Sequence, residues 1–241
     1  MMNDPDIILR CLRKVKTSKE QQESFEIFLN ELRNLKVDTT GRRGNPIKIL
    51  REPGRGSDGE LELRNKLLWL RTIPLPNDTC FIALHSESGV YQINKKGRCS
   101  SDLLGLFRSR DTTQFAVAEL KYGVHGDHLL YAIAEGLRNV CLHFQGFNRI
   151  RTGWKVNGKV AENAWGKTNP FSEVSSKSIH LLIMGDSEWV KNQQNLFQYV
   201  PRAPIRLGKN FPTVKITIYS SRERAKAKSK PHALLPLKKV S

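Results

Sequence analysis

Three side chains in the stretch SDLLGLFRSRDTTQFAVAELKYG, residues 101–123, have the types and spacing to do chemistry: Asp102, Glu119 and Lys121. Asp102 heads one apolar run. Glu119 and Lys121 end the next, after a polar turn. Strand residues two apart face the same side, so Glu119 and Lys121 point together and Leu120 faces away. In an antiparallel hairpin that turns near residue 110, the head of the first strand lies beside the tail of the second, which brings Asp102 to Glu119 and Lys121. Residues 115–118 are Phe-Ala-Val-Ala, so the second strand is buried and its end sets charge at a core edge. Charge there needs a partner, a metal or a function. Two carboxylates and an ammonium converging at a strand end form a divalent-cation site, because hard Mg²⁺ prefers carboxylate oxygen and water.

Other acids compete for a place in that site. On a helix running from Glu60 to about Arg71, Glu60 falls in the middle of the apolar arc made by Leu61, Leu63, Leu67, Leu68 and Leu70, and Glu62 falls on the opposite face. Glu60 is therefore a candidate ligand for metal or water, with a salt bridge to Arg64 as the plain alternative. Asp111, in the turn RSRDTT, is explained by the turn alone. His125, Asp127 and His128 (HGDH) lack a fourth zinc ligand at a recognisable spacing. They read as the start of a helix with Asp127 as its cap.

The elements that must position these residues follow from periodicity. Residues 5–36 read as two helices, with Thr17-x-x-Glu20 as a capping box between them. Residues 37–58 are a Gly/Arg-rich linker, either a solvated connection or an arm along phosphates. The core spans 59–220: the Glu60 helix, a three-strand meander over 89–94, 102–107 and 115–121, and a helix over 127–144. A polar insertion at 145–178 follows, in which Asn157-Gly158 signals a hairpin turn. The strand IHLLIMG, a helix from Glu188 and the strand TVKITIYS complete the core. The fold class is α/β, a mixed central sheet flanked by helices in the order αβββαβ plus a further α and β. Residues 221–241 read as a flexible basic tail, against the competing view that Leu234, Leu235 and Leu237 dock on the core.

The charge balance narrows the partners. Forty Lys and Arg face twenty-three Asp and Glu, a net charge of +17, and residues 201–241 hold eleven Lys/Arg against one acid. A surface so positive attracts polyanions, and nucleic acid is the first partner to consider. No run approaches eighteen consecutive apolar residues, so no membrane helix is expected. The N-terminus lacks a signal peptide's layout, and the expected location is the cytoplasm. Cys11, Cys80, Cys99 and Cys141 are too far apart for a zinc ribbon or a disulfide framework and read as buried free thiols.

The pattern Asp102…Glu119-Leu120-Lys121 on strand-turn-strand, with a Glu-bearing helix before and an amphipathic helix after, resembles the PD-(D/E)XK nuclease superfamily and its restriction-endonuclease-like core over roughly 60–190. Ser101 precedes the aspartate, and His128, Tyr131 and Glu135 line the polar face of the following helix. The resemblance implies a Mg²⁺-dependent nuclease, with Mn²⁺ as a substitute ion. Asp102, Glu119 and the Leu120 carbonyl would hold the metal, Lys121 would orient or activate water, and Glu60 would hold a metal-bound water or a second ion. DNA is favoured over RNA as substrate, and a homodimer is left open. Lys95, Lys96, Arg98, Arg138 and Lys155 are the candidate phosphate contacts, and Trp154, like Trp165, is a residue that could stack on bases. The alternative reading is a module of the same fold that binds nucleic acid without cutting it.

Overall fold

The amphipathic stretches near the N-terminus form α1 (Pro5–Lys14) and α2 (Ser18–Leu32). At the start of α2, the Glu20 N–H donates to Thr17 Oγ1 at 3.4 Å and that hydroxyl donates to the Glu20 carboxylate at 2.6 Å. The expected capping box is thus present with a side-chain closure. The computed structural model describes residues 5–32, 64, 67, 68, 70–86, 91–93, 97–99, 102–123, 127–153, 174–207, 211–221 and 237–239. Arg64, Leu67, Leu68 and Leu70 are helical, as expected of the segment that begins at Glu60. Glu60 itself, the linker and the Asn157-Gly158 turn lie outside the described residues.

Strands β1 (Thr72–Leu75) and β2 (Thr79–Ser86) form a hairpin, with left-handed backbone at Asn77 and Asp78, residue types that tolerate it. Among the described residues, a separate small hairpin of β3 (Tyr91–Ile93) and β4 (Gly97–Cys99) pairs only with itself. Then come β5 (Leu103–Arg108), β6 (Thr113–Lys121) and the long helix α3 (Leu129–Gly153). Strand β7 (Ser175–Gly185), the short helix α4 (Ser187–Asn192), a 3₁₀ turn (Gln194–Tyr199), β8 (Ile205–Arg206), β9 (Thr213–Ser221) and β10 (Leu237–Lys239) complete the order.

The main sheet runs β1-β2-β5-β6-β7-β9-β10, with β8 attached to β9. The β6/β7 and β7/β9 pairs are parallel and the remaining pairs antiparallel. The α/β class with a mixed sheet flanked by helices is therefore observed. The meander differs from expectation. The neighbour of β5 is β2, not the 89–94 segment, because Thr79–Ser86 is apolar on both faces: Phe81 and Ala83 pack to one side and Leu84 to the other. That leaves no alternation to read.

Two cores sandwich the sheet. One contains Leu9 and Leu12 of α1, Phe25, Phe28 and Leu32 of α2, Leu129, Leu130, Ile133, Leu137 and Val140 of α3, and Phe115, Val117, Leu181 and Ile183 of the strands. The N-terminal helices thus share their core with the sheet that carries Glu119. The other core, around Phe81, Leu103, Leu120, Leu182 and Met184, is covered by Leu67 and Leu68. The sheet curls over this second core: β1 and β10 come into contact, and the Tyr219 side chain hydrogen-bonds that of Thr79. The end of the basic tail is thus a strand, antiparallel to β9 with Leu237 opposite Ser221, where a wholly flexible segment was expected. An unpaired edge on β9 explains why even three residues are recruited. Of the expected buried thiols, Cys141 is buried and Cys11 is exposed.

Candidate functional site

Strand alternation sorts β6 as the sequence suggests. Phe115 and Val117 face α3, Leu120 faces the opposite core, and Glu119 and Lys121 therefore turn toward α3. Both are almost fully buried, at 2% and 5% exposure. The β5/β6 ladder ends at the Leu103–Ala118 pair. Beyond it, the Leu120 N–H donates at 2.8 Å to Asp102 Oδ2, a carboxylate standing in for the missing strand partner. Asp102, Glu119 and Lys121 are close enough to act on one another electrostatically. Asp111 lies in the exposed turn at the far end of this hairpin, where Ser109 and Thr112 close the loop, so it is no part of the site.

Helix α3 supplies the rest. Tyr131, Glu135 and Asn139 recur every four residues and so form one stripe. The Asn139 side-chain amide donates to Glu119 Oε1 at 2.7 Å. Lys121 Nζ donates to Glu135 Oε2 at 3.2 Å, and the Tyr131 hydroxyl donates to Glu135 Oε1 at 3.4 Å. Gly136 lets the helix come this close: a Cβ there would lie 2.5 Å from Leu181 Cδ1 and 3.1 Å from Glu119 Cγ. The sequence reading placed Tyr131 and Glu135 on a polar face and did not single out Asn139. The four-residue spacing was the signal, and it marks a stripe aimed at charge.

The end of β6 is fixed from β7. Asp186 caps α4 by accepting from the Trp189 N–H through Oδ1 at 2.7 Å. Its Oδ2 accepts from Gly123 N–H at 3.2 Å, and its own N–H donates to the Lys121 carbonyl at 3.2 Å. On the opposite flank, Arg64 Nη1 lies 3.9 Å from Asp102 Oδ1. The expected alternative partner of Glu60 thus reaches the metal-ligand candidate.

Electrostatics follow from this packing. Burial, then the Asp102 and Glu135 carboxylates, push the Glu119 carboxyl well above its ordinary value, while Lys121 and Asn139 pull it back. Asp102 is also raised, chiefly by burial, against the Leu120 N–H, Lys121 and Arg64. Burial, then Glu135, push the Tyr131 phenol up to about 12. One buried and one half-buried carboxylate that resist ionising together are the donor set that a hard divalent cation relieves, and Mg²⁺ commonly takes one or two carboxylates and completes its shell with water. Among the described residues no three His, Cys, Asp or Glu side chains are arranged to hold a metal.

The other candidates disperse. Asp127 pairs with Arg13 at 2.8 Å, and the cap of α3 is His128, whose Nδ1 accepts from the Tyr131 N–H at 3.2 Å; the expected cap, Asp127, is displaced by that pairing. Arg138 is half-buried on α3 with Nη2 3.4 Å from Asn139 Oδ1, beside the site. Arg98 falls in β4. Lys95, Lys96, Trp154, Lys155, Trp165 and His125 lie outside the described residues. No protein-family model matches this chain, and neither a curated protein nor a solved structure matches it significantly.

Proposed function

We propose that this chain is a metal-dependent nuclease that hydrolyses phosphodiester bonds in nucleic acid, DNA in preference to RNA, with a site of the PD-(D/E)XK kind. One observation carries the reading: the half-buried Asp102 and the buried Glu119 stand at neighbouring strand ends, are both held above their ordinary pKa, and share a site with Lys121. Asp102, Glu119 and the Leu120 carbonyl would hold Mg²⁺ or Mn²⁺. Bound there, such an ion supplies Lewis-acid polarisation of a phosphodiester oxygen and acidifies water.

This chain's own residues do the positioning. Asn139 fixes the Glu119 carboxylate by its 2.7 Å hydrogen bond, and the Leu120 N–H fixes that of Asp102. Lys121 offers an ammonium to the negative charge that gathers on the phosphoryl oxygens, and Glu135 holds it in place. Asp186 keeps the strand end from fraying. Incubating the protein with single- and double-stranded DNA and RNA, in Mg²⁺, Mn²⁺ or EDTA, tests the reading. Cleavage should require the metal, and Asp102→Ala or Glu119→Ala should lower it roughly 10²-fold or more. Equal cleavage in EDTA refutes it. A second reading, a binding module without catalysis, is favoured by the Lys121–Glu135 pair, which already engages the ammonium; retained binding with no cleavage under any metal selects it.

A further inference from the structure

Helix α1 carries Arg10, Arg13 and Lys14, Lys16 follows it, and Lys19 lies in the first turn of α2; all five are exposed. No acid occurs between Asp6 and Glu20. Arg10 precedes Arg13 and Lys14 by three and four residues, so these cations share one flank of the helix, beside the stripe that buries Leu9 and Leu12. Like charges at that spacing repel. The carbonyls at the end of α1 favour Arg13 and Lys14, but Arg10 sits a turn earlier and gains little. Among the described residues, Asp127 is the one carboxylate that ion-pairs with any of the five, through Arg13. A partly relieved cluster of this kind is suited to a polyanion from outside.

Its place in the fold gives it a direction. The flank is held firmly on α3: His128 Nε2 lies 2.7 Å from the Leu12 carbonyl oxygen, and Arg13 Nε lies 2.8 Å from Asp127 Oδ1. The Arg13 guanidinium stands 5.4 Å from the centroid of the Tyr131 ring. Tyr131 bonds Glu135, and Glu135 bonds Lys121. The cationic flank therefore begins three side chains from the candidate catalytic ammonium.

The geometry points to this flank of α1 and the turn after it as a track for the nucleic-acid backbone, Arg10, Lys14 and Lys16 contacting phosphates and Arg13 marking the end nearest the site. It takes from the proposed function only that the ligand is nucleic acid. Each phosphate neutralised releases condensed counterions, so every contact adds to the salt dependence of binding.

The test uses the full chain in EDTA, a labelled 20-base-pair DNA duplex and the matching single strand, and a NaCl titration. The variant Arg10→Ala/Lys14→Ala/Lys16→Ala should flatten the slope of log affinity against log salt by about 2–3 on duplex and weaken binding roughly tenfold or more. Its melting temperature should stay the same or rise, since mutual repulsion is removed. The control Lys191→Ala/Arg202→Ala/Lys215→Ala removes the same charge from exposed positions elsewhere and should change the slope little. An unchanged slope in the first variant, or equal flattening in both, overturns the track. So does a wild type that binds phosphatidylserine/phosphatidylcholine vesicles and no nucleic acid. A wild type that binds with the expected slope and leaves DNA uncut in Mg²⁺ keeps the track and removes the nuclease reading. One that cuts DNA, with a slope untouched by the substitutions, removes the track alone.

Discussion

The side-chain amide of Asn139 donates to Oε1 of Glu119 across 2.7 Å, and both groups are buried. The bond links the middle of α3 to the end of β6 and satisfies one oxygen of a buried carboxylate. It makes helix α3 part of the site's construction and gives two opposed expectations.

Asn139→Ala should leave the Glu119 carboxylate short of a donor and cost about 1–3 kcal/mol of stability. Glu119→Gln should stabilise the metal-free protein, since the folded state holds this carboxyl well above its ordinary value. It should abolish metal-dependent cleavage at the same time. Chemical denaturation in EDTA measures both; a destabilised Glu119→Gln protein counts against the strain read from the site.

Stability should depend on pH through two groups with opposite slopes. Glu119 has a raised folded-state pKa, so its contribution is full below the ordinary glutamate range and is lost as pH climbs toward the folded value. Burial holds His128 below 6.5, so its contribution is present above that value and is lost as pH falls through the folded pKa. Neutral His128 accepts from the Tyr131 N–H at Nδ1 and donates from Nε2 to the Leu12 carbonyl, so protonation breaks the cap of α3 and leaves the bond to α1 in place. Thermal melts in EDTA from pH 5 to 8 should show Glu119→Gln removing the decline toward alkaline pH and His128→Gln removing the decline toward acid.

Gly136→Ala should cost about 1–3 kcal/mol, because a Cβ would press on Leu181 and on Glu119 Cγ inside a filled core. Cleavage should fall by more than the stability loss explains, since the displaced atom belongs to a candidate ligand. Activity assayed well below the variant's melting temperature separates the two effects.

Removing residues 237–241 should lower the melting temperature by several degrees, at about 2–4 °C per kcal/mol for a chain of this size. Strand β10 pairs with β9 and touches β1, so its loss opens an edge. A differential scan of the truncated chain against the full one checks this, and an unchanged temperature would show β10 contributes nothing.

The sharing of one face by Glu119 and Lys121, and the nearness of Asp102, were legible because they depend on local rules: a period of two along a strand and a hairpin that returns beside itself. Asn139 was not, since its role depends on which stripe of α3 meets the sheet, and the permission for that contact lies in Gly136 and Leu181, far apart in sequence. Strand β2 was missed because it is buried on both faces and shows no alternation. Strand β10 is three residues long, and only the open edge of a distant strand makes it one. The cap of α3 was misassigned to Asp127 because Arg13, more than a hundred residues earlier, claims that carboxylate.

The meeting of β1 with β10 has a bearing on how the chain is made. The seam between the first and last strands of the sheet cannot form until Lys239 has left the ribosome, although most of the Asp102 and Glu119 neighbourhood has been synthesised by Trp189. A nascent chain stalled after Ser221 and before Leu237 would hold its metal-ligand candidates in place beside an unfinished sheet, with the rim of β9 bare. That interval is when a second copy, or a chaperone that recognises extended backbone, has its best chance to add a strand of its own.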